Sequence, residues 1–292
     1  MSIERIVGLG LCVLDRFYRV DDFSLVAPRI RYREHVATPG GMVSTALCQA
    51  AALGCKAQLL SMVGNDSEGR WLARELRARG VETRRLLRSD RFATSECIVL
   101  VDRRSAERRF IVADRRQLEA HAPAFDLEPI RRDSLLLVDG HFPDQALAAV
   151  KRARGQGAVV IGDFSQPSPA VRRLLPYVDH PVVSSEFVEG FRAGGPHQTL
   201  RALGERYGGT PVITQGHRGA LVLERGRIRR IPSRRVRARD TTGAGDVFHG
   251  ALAAGLVHGQ DLLSALDLAT RAAALSCTAL GGTGRLLRRS EM

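Results

Sequence analysis

Residues 240–250 have the sequence Asp-Thr-Thr-Gly-Ala-Gly-Asp-Val-Phe-His-Gly, and this stretch is the most informative feature of the chain. It predicts a turn that leads directly into a helix, because apolar residues recur at near-helical spacing from Asp246 to His258. Gly243 and Gly245 open backbone angles that other residues avoid, so successive N–H groups can point into one concavity. Because a helix N-terminus favours phosphate, we predict an anion-binding turn here.

The chemistry that this turn supports is phosphoryl transfer to an alcohol. Asp246 is suited to take a proton from a hydroxyl group, while the amides of residues 243–245 stabilise the charge on a transferring phosphoryl group. A lone pair of glycines before a helix is mostly structural, but a longer string with an acid at each end is more specific. The predicted catalytic set is Asp246, Gly243, Ala244 and Gly245.

Three further motifs accompany this stretch. Residues 39–46 are Pro-Gly-Gly-Met-Val-Ser-Thr-Ala, residues 64–69 are Gly-Asn-Asp-Ser-Glu-Gly, and residues 214–220 are Thr-Gln-Gly-His-Arg-Gly-Ala. Together with residues 240–246 they resemble, in order along the chain, the signatures of the ribokinase-like (PfkB) family of carbohydrate kinases. The resemblance extends from Ile3 to Gly284, and the chain is identified as a member of that family.

Short apolar runs alternate with segments of helical spacing along the chain. The predicted strands are Ile3–Leu9, Gln58–Val63, Leu135–Val138, Val159–Asp163, Pro181–Ser184 and Val212–Gln215. The predicted helices are Ser44–Leu53, Glu68–Arg79, Asp144–Gln156, Gln198–Tyr207, Asp246–His258 and Leu262–Ala279. Buried strands between helices are typical of an α/β fold with a doubly wound, mostly parallel sheet flanked by helices. We expect residues 1–292 to form a single domain of ribokinase-like fold.

Two regions interrupt this alternation. More polar, alternating strands are predicted at Val13–Val20 with Arg31–Ala37, and at Ser95–Asp102 with Arg108–Ala113, the second pair joined by a turn at Arg103–Glu107. In the family that the chain resembles, such strands form a small β-lid over the sugar and often make the dimer contact. The resemblance therefore implies lid strands inserted at about residues 12–38 and 95–115, and a homodimer formed through them.

Composition argues against several classes of function. No run approaches the roughly 18 apolar residues of a membrane-spanning helix, and the strand predicted at Ile3–Leu9 leaves no room for a signal peptide. The net charge of +13 comes almost entirely from arginine without interleaved aromatic residues, so we predict a solvated basic surface and no specific nucleic-acid partner. Five cysteines without Cys-x-x-Cys spacing indicate free thiols in a reducing cytoplasm.

The resemblance also implies a set of sugar-binding residues. It places at Asp15 an acid that accepts hydrogen bonds from two sugar hydroxyls, although a surface turn is the alternative for this residue. Gly40 and Gly41 would let the backbone approach the sugar ring closely. Thr45 stands where the family usually has Asn, and Met42 where it often has Lys or Asn, so the pocket departs from one for ribose or plain fructose.

An anionic tail on the substrate would need a cationic side chain to recognise it. The sequences of residues 10–15 and 246–252 are most similar to those of ketohexokinase and sulfofructose kinase relatives. A sulfonate is best bound by arginine. After the strand Leu135–Val138, where an arginine would be the stronger ligand, the chain has His141. The candidates are Arg16, Arg109, Arg115 and His141, and a plain surface position is the alternative for each.

The nucleotide side is likewise implied by the resemblance. The predicted ATP-binding residues are Thr214, Gly216, Gly219, Ser184, Ala273, Cys277 and Gly281. The family's Asn-x-x-Glu motif lacks its Asn in residues 184–189, which leaves Asp163 and Glu186 to order Mg²⁺ through water or to be surface or capping residues. Asp240 is predicted either to hold a monovalent cation such as K⁺ or to cap a helix.

These residues together predict an ATP- and Mg²⁺-dependent sugar kinase that phosphorylates a primary hydroxyl of a ketose-like sugar, a ketohexose or a sulfofructose-like compound. The alternative within enzymes is a sugar-phosphate or nucleoside kinase of the same fold. The alternative from another class is a binding protein that senses a sugar or a polyanion without catalysis. The presence of Asp246 argues against that last alternative, because sensing needs no general base.

Overall fold

The computed structural model describes residues 3–21, 29–104 and 107–292. The strands of these residues are β1 (Arg5–Leu9), β2 (Val13–Val20), β3 (Tyr32–Gly40), β4 (Lys56–Gly64), β5 (Val81–Glu82), β6 (Leu86–Ser89), β7 (Glu96–Asp102), β8 (Arg108–Val112), β9 (Ser134–Val138), β10 (Val159–Phe164), β11 (His180–Val183), β12 (Val212–Thr214), β13 (Ala220–Glu224) and β14 (Arg227–Ile231). The α-helices are α1 (Met42–Ala52), α2 (Ser67–Ala78), α3 (Arg116–Ala120), α4 (Pro143–Gln156), α5 (Pro169–Leu174), α6 (Ser185–Phe191), α7 (Pro196–Tyr207), α8 (Ala244–Val257) and α9 (Leu262–Ser276).

The central sheet has the strand order β14-β13-β12-β11-β10-β9-β1-β4-β5, and β6 also pairs with β4. Neighbouring strands from β12 to β5 are parallel, whereas β13 and β14 form an antiparallel hairpin at one edge. The predicted mostly parallel sheet is therefore confirmed. Open sheets of this kind bind ligands in the crevice beyond the carboxyl ends of their strands, and β1, β9 and β10 end side by side there.

Each central strand contributes to two hydrophobic cores, because successive residues of a strand point to opposite faces of the sheet. Ile6 and Leu135 pack with residues of α1, α2, α8 and α9 on one face. Val7 and Leu136 pack with residues of α4, α5 and α7 on the other. All four side chains are fully buried, and each such burial contributes about 1.5–3 kcal/mol. The helices on both faces were predicted, and that prediction is confirmed.

A second sheet of four strands has the order β3-β2-β7-β8. The hairpins β2–β3 and β7–β8 are antiparallel, and they join through a parallel pairing of β2 with β7. Every residue of β8 is exposed, whereas β7 alternates between buried and half-buried residues. Strands occur at all four predicted lid segments, and the turn predicted at Arg103–Glu107 includes residues 105–106, which lie outside the described residues.

The element boundaries differ from the prediction in a systematic way. Helices α1, α2, α4, α7 and α8 begin one or two residues earlier, because apolar spacing does not reveal the solvent-facing first turn. Proline at the first position of α4 and of α7 fits that turn, because its missing N–H would have no partner there. Helix α9 ends at Ser276 rather than Ala279. We did not predict strands β5, β6, β13 and β14 or the short helices α3, α5 and α6.

Two predictions drawn from composition can also be compared with the structure. Across the described residues, no helix has both the length and the apolar character needed to cross a bilayer. All five cysteines are free thiols, and Cys12, Cys48, Cys55 and Cys97 are buried. Burial raises the pKa of the Cys12 thiol to about 12, so this thiol stays protonated and behaves as a small apolar side chain.

Candidate active site

The turn before α8 has the geometry of an anion site. Gly243 adopts a left-handed φ of 74° and caps the helix, and Val247 N–H donates to its carbonyl at 2.9 Å. The amide of Ala244 makes only a long contact, 3.4 Å, with the Thr241 carbonyl. Among the described residues, no acceptor hydrogen-bonds the amides of Gly245 and Asp246. Two donors at the positive end of a fourteen-residue helix are therefore free for an anion.

Gly243 and Gly245 are glycine for different structural reasons. A Cβ on Gly243 would lie 2.6 Å from the Gly282 Cα, so the close approach of residue 282 and the positive φ both require glycine. Gly245 lies inside the helix without a positive φ, and a Cβ there would meet nothing within 4 Å. The prediction that Gly245 needs special backbone angles is wrong, because the helix begins two residues earlier than predicted. Its missing side chain leaves open space above the free amides.

Asp240 holds the turn in place from below. Its side chain is 1% exposed. One carboxylate oxygen accepts from the Thr242 amide at 2.9 Å and hydroxyl at 2.7 Å, and the other accepts from the Gly281 amide at 2.9 Å. Because Gly243 is the N-cap of α8, the helix-capping alternative for Asp240 is wrong. This carboxylate ties residues 240–243 to the turn at 281–284.

Asp246 is the third residue of α8 and lies within a group of acids. Asp246 is half-buried. Burial and the negative charges of Asp163, Asp15 and Asp139 raise the pKa of the Asp246 carboxyl well above its usual range. A carboxylate in such surroundings binds a proton more strongly, which is the property that a general base needs.

Asp139 belongs to this group although the sequence analysis did not select it. It follows β9 directly and is 5% exposed. Its carboxylate accepts from the Leu11 amide at 2.8 Å and from the His141 amide at 3.0 Å. A Cβ on Gly10 would lie 2.4 Å from that carboxylate, so the two chain segments meet closely. The position directly after a buried strand was a signal that could have identified Asp139.

Asp15 is the third residue of β2, within the strand that was predicted at Val13–Val20. A Cβ on Gly40 would lie 2.0 Å from the Asp15 carboxyl, so glycine at 40 is needed for the carboxylate to lie across β3. Burial raises the pKa of Asp15 to about 7, and the charge of Arg115 opposes this shift. The surface-turn alternative for Asp15 does not hold.

Arg115 and His141 lie at the same side of the site, joined through Glu119. His141 Nδ1 donates to the Glu119 carboxylate at 2.8 Å, and Arg115 Nε lies 3.9 Å from it. Burial alone would lower the pKa of His141, but the charges of Asp139 and Glu119 raise it overall. The Arg115 side chain is 19% exposed, and its buried Nε has no hydrogen-bond partner among the described residues.

The structure separates the cationic candidates. Arg16 donates to both carboxylate oxygens of Glu96, at 3.1 and 2.8 Å, so its charge is already paired. Arg109 lies on the exposed strand β8. Arg115 combines burial, a free Nε and an electrostatic effect on Asp15. Of the four candidates it is the one whose charge acts on the carboxyl of Asp15, and it makes only a long contact with Glu119, 3.9 Å.

The remaining sugar-side residues lie around the first turn of α1. Gly41 is the N-cap of this helix, with a φ of 94°. Thr45 is buried, and a Cβ on Gly282 would lie 3.3 Å from its methyl group. Residue 282 therefore lies close both to Thr45 of α1 and to Gly243 in the turn at residues 240–246, which we call the anion turn.

The residues predicted to bind nucleotide lie at or after the ends of β11 and β12, and in or after α9. Ser184 caps α6 by accepting from the Phe187 amide at 3.2 Å, and the Thr214 hydroxyl donates to the Val183 carbonyl at 3.4 Å. A Cβ on Gly219 would lie 2.0 Å from the Ile231 carbonyl, so glycine there has a packing reason.

The others lie in the turn after β12 and at the end of α9. Gly216 opens the turn, Ala273 is half-buried in α9, and Gly281 donates to Asp240. The carbonyl of Cys277 accepts from the Arg239 amide at 2.8 Å. The nucleotide-binding role of this whole group stays a prediction.

The predicted metal ligands do not form a cluster. Asp163 is the last but one residue of β10, and its buried side chain lies beside His249, with its Oδ2 3.2 Å from His249 Nδ1. Burial and the charge of Asp139 raise the pKa of Asp163 well above its usual range, and burial lowers the pKa of His249 to about 4. Glu186 is exposed in the first turn of α6. In the described part of the chain, no three His, Cys, Asp or Glu residues gather as metal ligands.

Several known proteins are similar to this chain over most of its length. The family model for pfkB family carbohydrate kinases matches residues 4–287. Ribokinase of Bacillus subtilis (strain 168) is 26% identical over 99% of this chain and 98% of its own length. Bifunctional protein HldE of Pseudomonas paraeruginosa is 28% identical over 94% of the chain, and the chain spans 60% of that relative's length.

Solved structures extend the likeness to the whole fold. A protein of Agrobacterium tumefaciens provisionally assigned as a ribokinase is 27% identical, with a TM-score of 0.90 over 99% of this chain and 95% of that chain. Ribokinase of Thermotoga maritima, at 24% identity, has a TM-score of 0.81 over 98% of this chain and 97% of its own. Since the family model covers nearly the full sequence, the chain belongs to the pfkB family of carbohydrate kinases, enzymes that transfer a phosphoryl group to a sugar hydroxyl.

Proposed function

We propose that this kinase uses ATP to phosphorylate a primary hydroxyl of a ketose-like sugar whose far end is anionic. One observation carries the proposal: a desolvated acid, Asp246, and two free amides at the start of α8 share one site with Asp15 and Arg115. The first group suits proton removal and phosphoryl transfer. The second group suits a polyol that also carries negative charge.

In the proposed reaction, Asp246 takes the proton of the sugar hydroxyl as the hydroxyl oxygen attacks the γ-phosphorus in line. The bond from the γ-phosphorus to the oxygen of the β-phosphate breaks, and ADP leaves. The amides of Gly245 and Asp246 donate to the phosphoryl oxygens and stabilise the charge that builds up on them. Asp240 keeps both amides in position by fixing the turn before the helix. Because every one of these groups is held by protein, little reorganisation is needed when the charge develops.

Mg²⁺ and K⁺ have different standing in this proposal. Mg²⁺ retains several waters and binds mainly through substrate phosphates. The exposed Glu186 and the buried Asp163 would therefore hold it through water. That fits a site without a cluster of protein ligands. A bound Mg²⁺ would neutralise part of the phosphate charge. K⁺ would lie beside Asp240, although both of its carboxylate oxygens already accept hydrogen bonds.

The substrate proposal predicts a preference for an acidic sugar. Arg115 presents a half-buried charge with a free Nε, and a site built for an anion loses binding energy when a neutral analogue leaves that charge without a partner. We expect kcat/KM for a sulfonated or otherwise acidic ketohexose to exceed that for the neutral ketohexose by about 10–100-fold. The measurement is a coupled ADP-release screen across ketoses, aldoses, sulfosugars, sugar phosphates and nucleosides.

Two arginine variants assign this preference to a residue. Arg115→Gln should remove the preference while turnover of the neutral sugar persists. Arg16→Gln is the matched control, because Arg16 is on the same small sheet but is already paired with Glu96. Equal or better use of fructose or ribose by the wild-type enzyme would end the anionic-substrate proposal and leave the kinase assignment intact.

The pKa of Asp15 makes sugar binding depend on pH. Burial raises this pKa to about 7, and only the ionised carboxylate can accept from two hydroxyls at once. We expect KM for the sugar to fall by about tenfold from pH 6 to pH 8 as Asp15 ionises. The folded chain binds this proton more tightly than the unfolded chain, so the carboxyl's contribution to stability is lost as pH rises towards 7. Asp15→Asn should abolish the change in KM; a slope that persists in this variant would assign it elsewhere.

The same screen separates the alternatives. A nucleoside or sugar-phosphate kinase would show its highest kcat/KM on those substrates. A binding protein without catalysis would bind a sugar or a polyanion and release no ADP. The desolvated carboxylate of Asp246 beside free amides favours catalysis, because a sensor gains nothing from an acid with a raised pKa.

We also propose that two copies pair through the small sheet. Tyr32, Phe110, Ile111 and Val112 are more than half exposed, at 55%, 51%, 59% and 56%, on the two outer strands β3 and β8. Large apolar side chains that gather on edge strands are typical of a surface covered by another chain. A second copy of this chain is the partner that would cover both edges at once.

A further inference from the structure

Within the proposed reaction, His249 has no assigned role although it lies directly beneath the anion turn. It follows Asp246 by three residues on α8 and is 5% exposed. Its Nδ1 lies 2.6 Å from the Gly245 carbonyl oxygen and 3.2 Å from Asp163 Oδ2. A carbonyl oxygen can only accept, so Nδ1 must carry the hydrogen and donate to Gly245. The tautomer of this histidine therefore follows from the contact.

The carbonyl that receives this hydrogen bond is part of the anion site. The Gly245 carbonyl and the Asp246 amide belong to one planar peptide unit, so a bond to the oxygen fixes the direction of the N–H. The same bond polarises the peptide and strengthens its N–H as a donor. This Asp246 amide is one of the two without an acceptor at the start of α8.

Asp163 completes the arrangement from the neighbouring strand. Its Oδ2 lies 3.2 Å from the same Nδ1 and accepts no hydrogen bond among the described residues. Asp163 belongs to β10, so this contact joins the histidine on α8 to the central sheet. Both side chains are at least nine-tenths buried, which limits the rotamers that the imidazole can adopt.

We propose that His249 is a positioning residue for phosphoryl transfer: its Nδ1–H holds and polarises the peptide between Gly245 and Asp246, and Asp163 keeps the ring in place. This inference rests on the proposed function of the anion turn. In the proposed reaction, the N–H of this peptide contacts the transferring phosphoryl group and not the sugar. We therefore expect His249 to affect the transition state rather than sugar binding.

The test compares two substitutions of similar size. Asn places a side-chain N–H near the position of Nδ1, whereas Leu has the same branching and no donor. We expect His249→Leu to lower kcat by about tenfold with KM for the sugar unchanged, less than the 10²–10³ that loss of a direct donor costs. His249→Asn should recover most of that loss, and both variants should keep the wild-type Tm within a few degrees.

His258 supplies the matched control. It belongs to the same helix, as the C-cap of α8, and its Nε2 contacts the Leu53 carbonyl at 2.9 Å. It is at the end of the helix farthest from the anion turn, so His258→Leu should lower stability without changing kcat. Equal loss of kcat in His258→Leu, or wild-type kcat in His249→Leu, would overturn the proposal.

A second readout does not depend on turnover. The ¹⁵N chemical shift of the Asp246 amide responds to hydrogen bonding at the Gly245 carbonyl of its own peptide unit. We expect this shift to change in His249→Leu and to return towards the wild-type value in His249→Asn. If no sugar supports ADP release, the proposed function fails while this shift still tests the bond. An unchanged shift in His249→Leu would overturn the positioning role even in an active kinase.

Discussion

Replacing Asp246 with Asn is expected to lower kcat by about 10²–10⁴-fold, because the variant keeps the shape of the side chain and loses the group that accepts the hydroxyl proton. Nucleotide affinity should change little, since the two free amides at the start of α8 remain. The measurement is a coupled ADP-release assay on the best sugar together with a nucleotide-binding titration. Turnover at the wild-type rate would show that another group removes the proton.

The same variant should be more stable than the wild type at pH 8. Burial and the charges of Asp163, Asp15 and Asp139 raise the pKa of Asp246, so the ionised form destabilises the folded state. That cost grows as pH rises towards the raised pKa and is absent in Asn. We expect a higher Tm together with the lost activity, which is the combination that marks a functional acid. A lower Tm would mean that Asp246 is structural.

Asp240→Asn provides the contrast within the same turn. Its oxygens accept from Thr242 and Gly281, and an amide group can accept at only one of its two ends. This variant should lose stability and activity together. The two variants should therefore change stability in opposite directions, because Asp246 lies buried among other acids whereas Asp240 accepts hydrogen bonds that hold the turn.

The sequence determined the fold more fully than the site. Short, continuously apolar runs such as Leu135–Val138 identified the central strands, because parallel strands are buried on both faces. The hairpin β13–β14 was missed because its second strand, Arg227–Ile231, carries three arginines and faces solvent. The short helix α3 was missed for a related reason: five residues are too few to show a helical period.

The site shows the same division between local and distant information. The turn at residues 240–246 was found because its chemistry lies in consecutive residues. Asp139, Glu119 and the free Nε of Arg115 depend on contacts between distant segments, such as the bond from the Leu11 amide to Asp139. No spacing rule encodes such a contact, and only the packed structure shows that the buried Nε of Arg115 makes no hydrogen bond among the described residues.

Gly245→Ala is expected to give a folded protein with a large loss of activity. The residue has no positive φ, and a Cβ at this position would have no neighbour within 4 Å, so the methyl group causes no strain in the free protein. In a helix the Cα–Cβ bond tilts towards the N-terminus, which places this methyl beside the free amides. Displacing the phosphoryl group by about 1 Å costs about 10² in kcat/KM.

Gly243→Ala separates this steric effect from backbone strain. Here the φ of 74° costs a residue with a Cβ about 1–2 kcal/mol, and the new atom would lie 2.6 Å from the Gly282 Cα. This variant should therefore lose several degrees of Tm, whereas Gly245→Ala should keep or exceed the wild-type Tm, because alanine favours the helix. Wild-type kcat/KM in a stable Gly245→Ala enzyme would show that the phosphoryl group does not pass over the start of α8. Loss of activity without loss of stability at 245, and loss of both at 243, would mean that one glycine is there for the phosphate and the other for the turn.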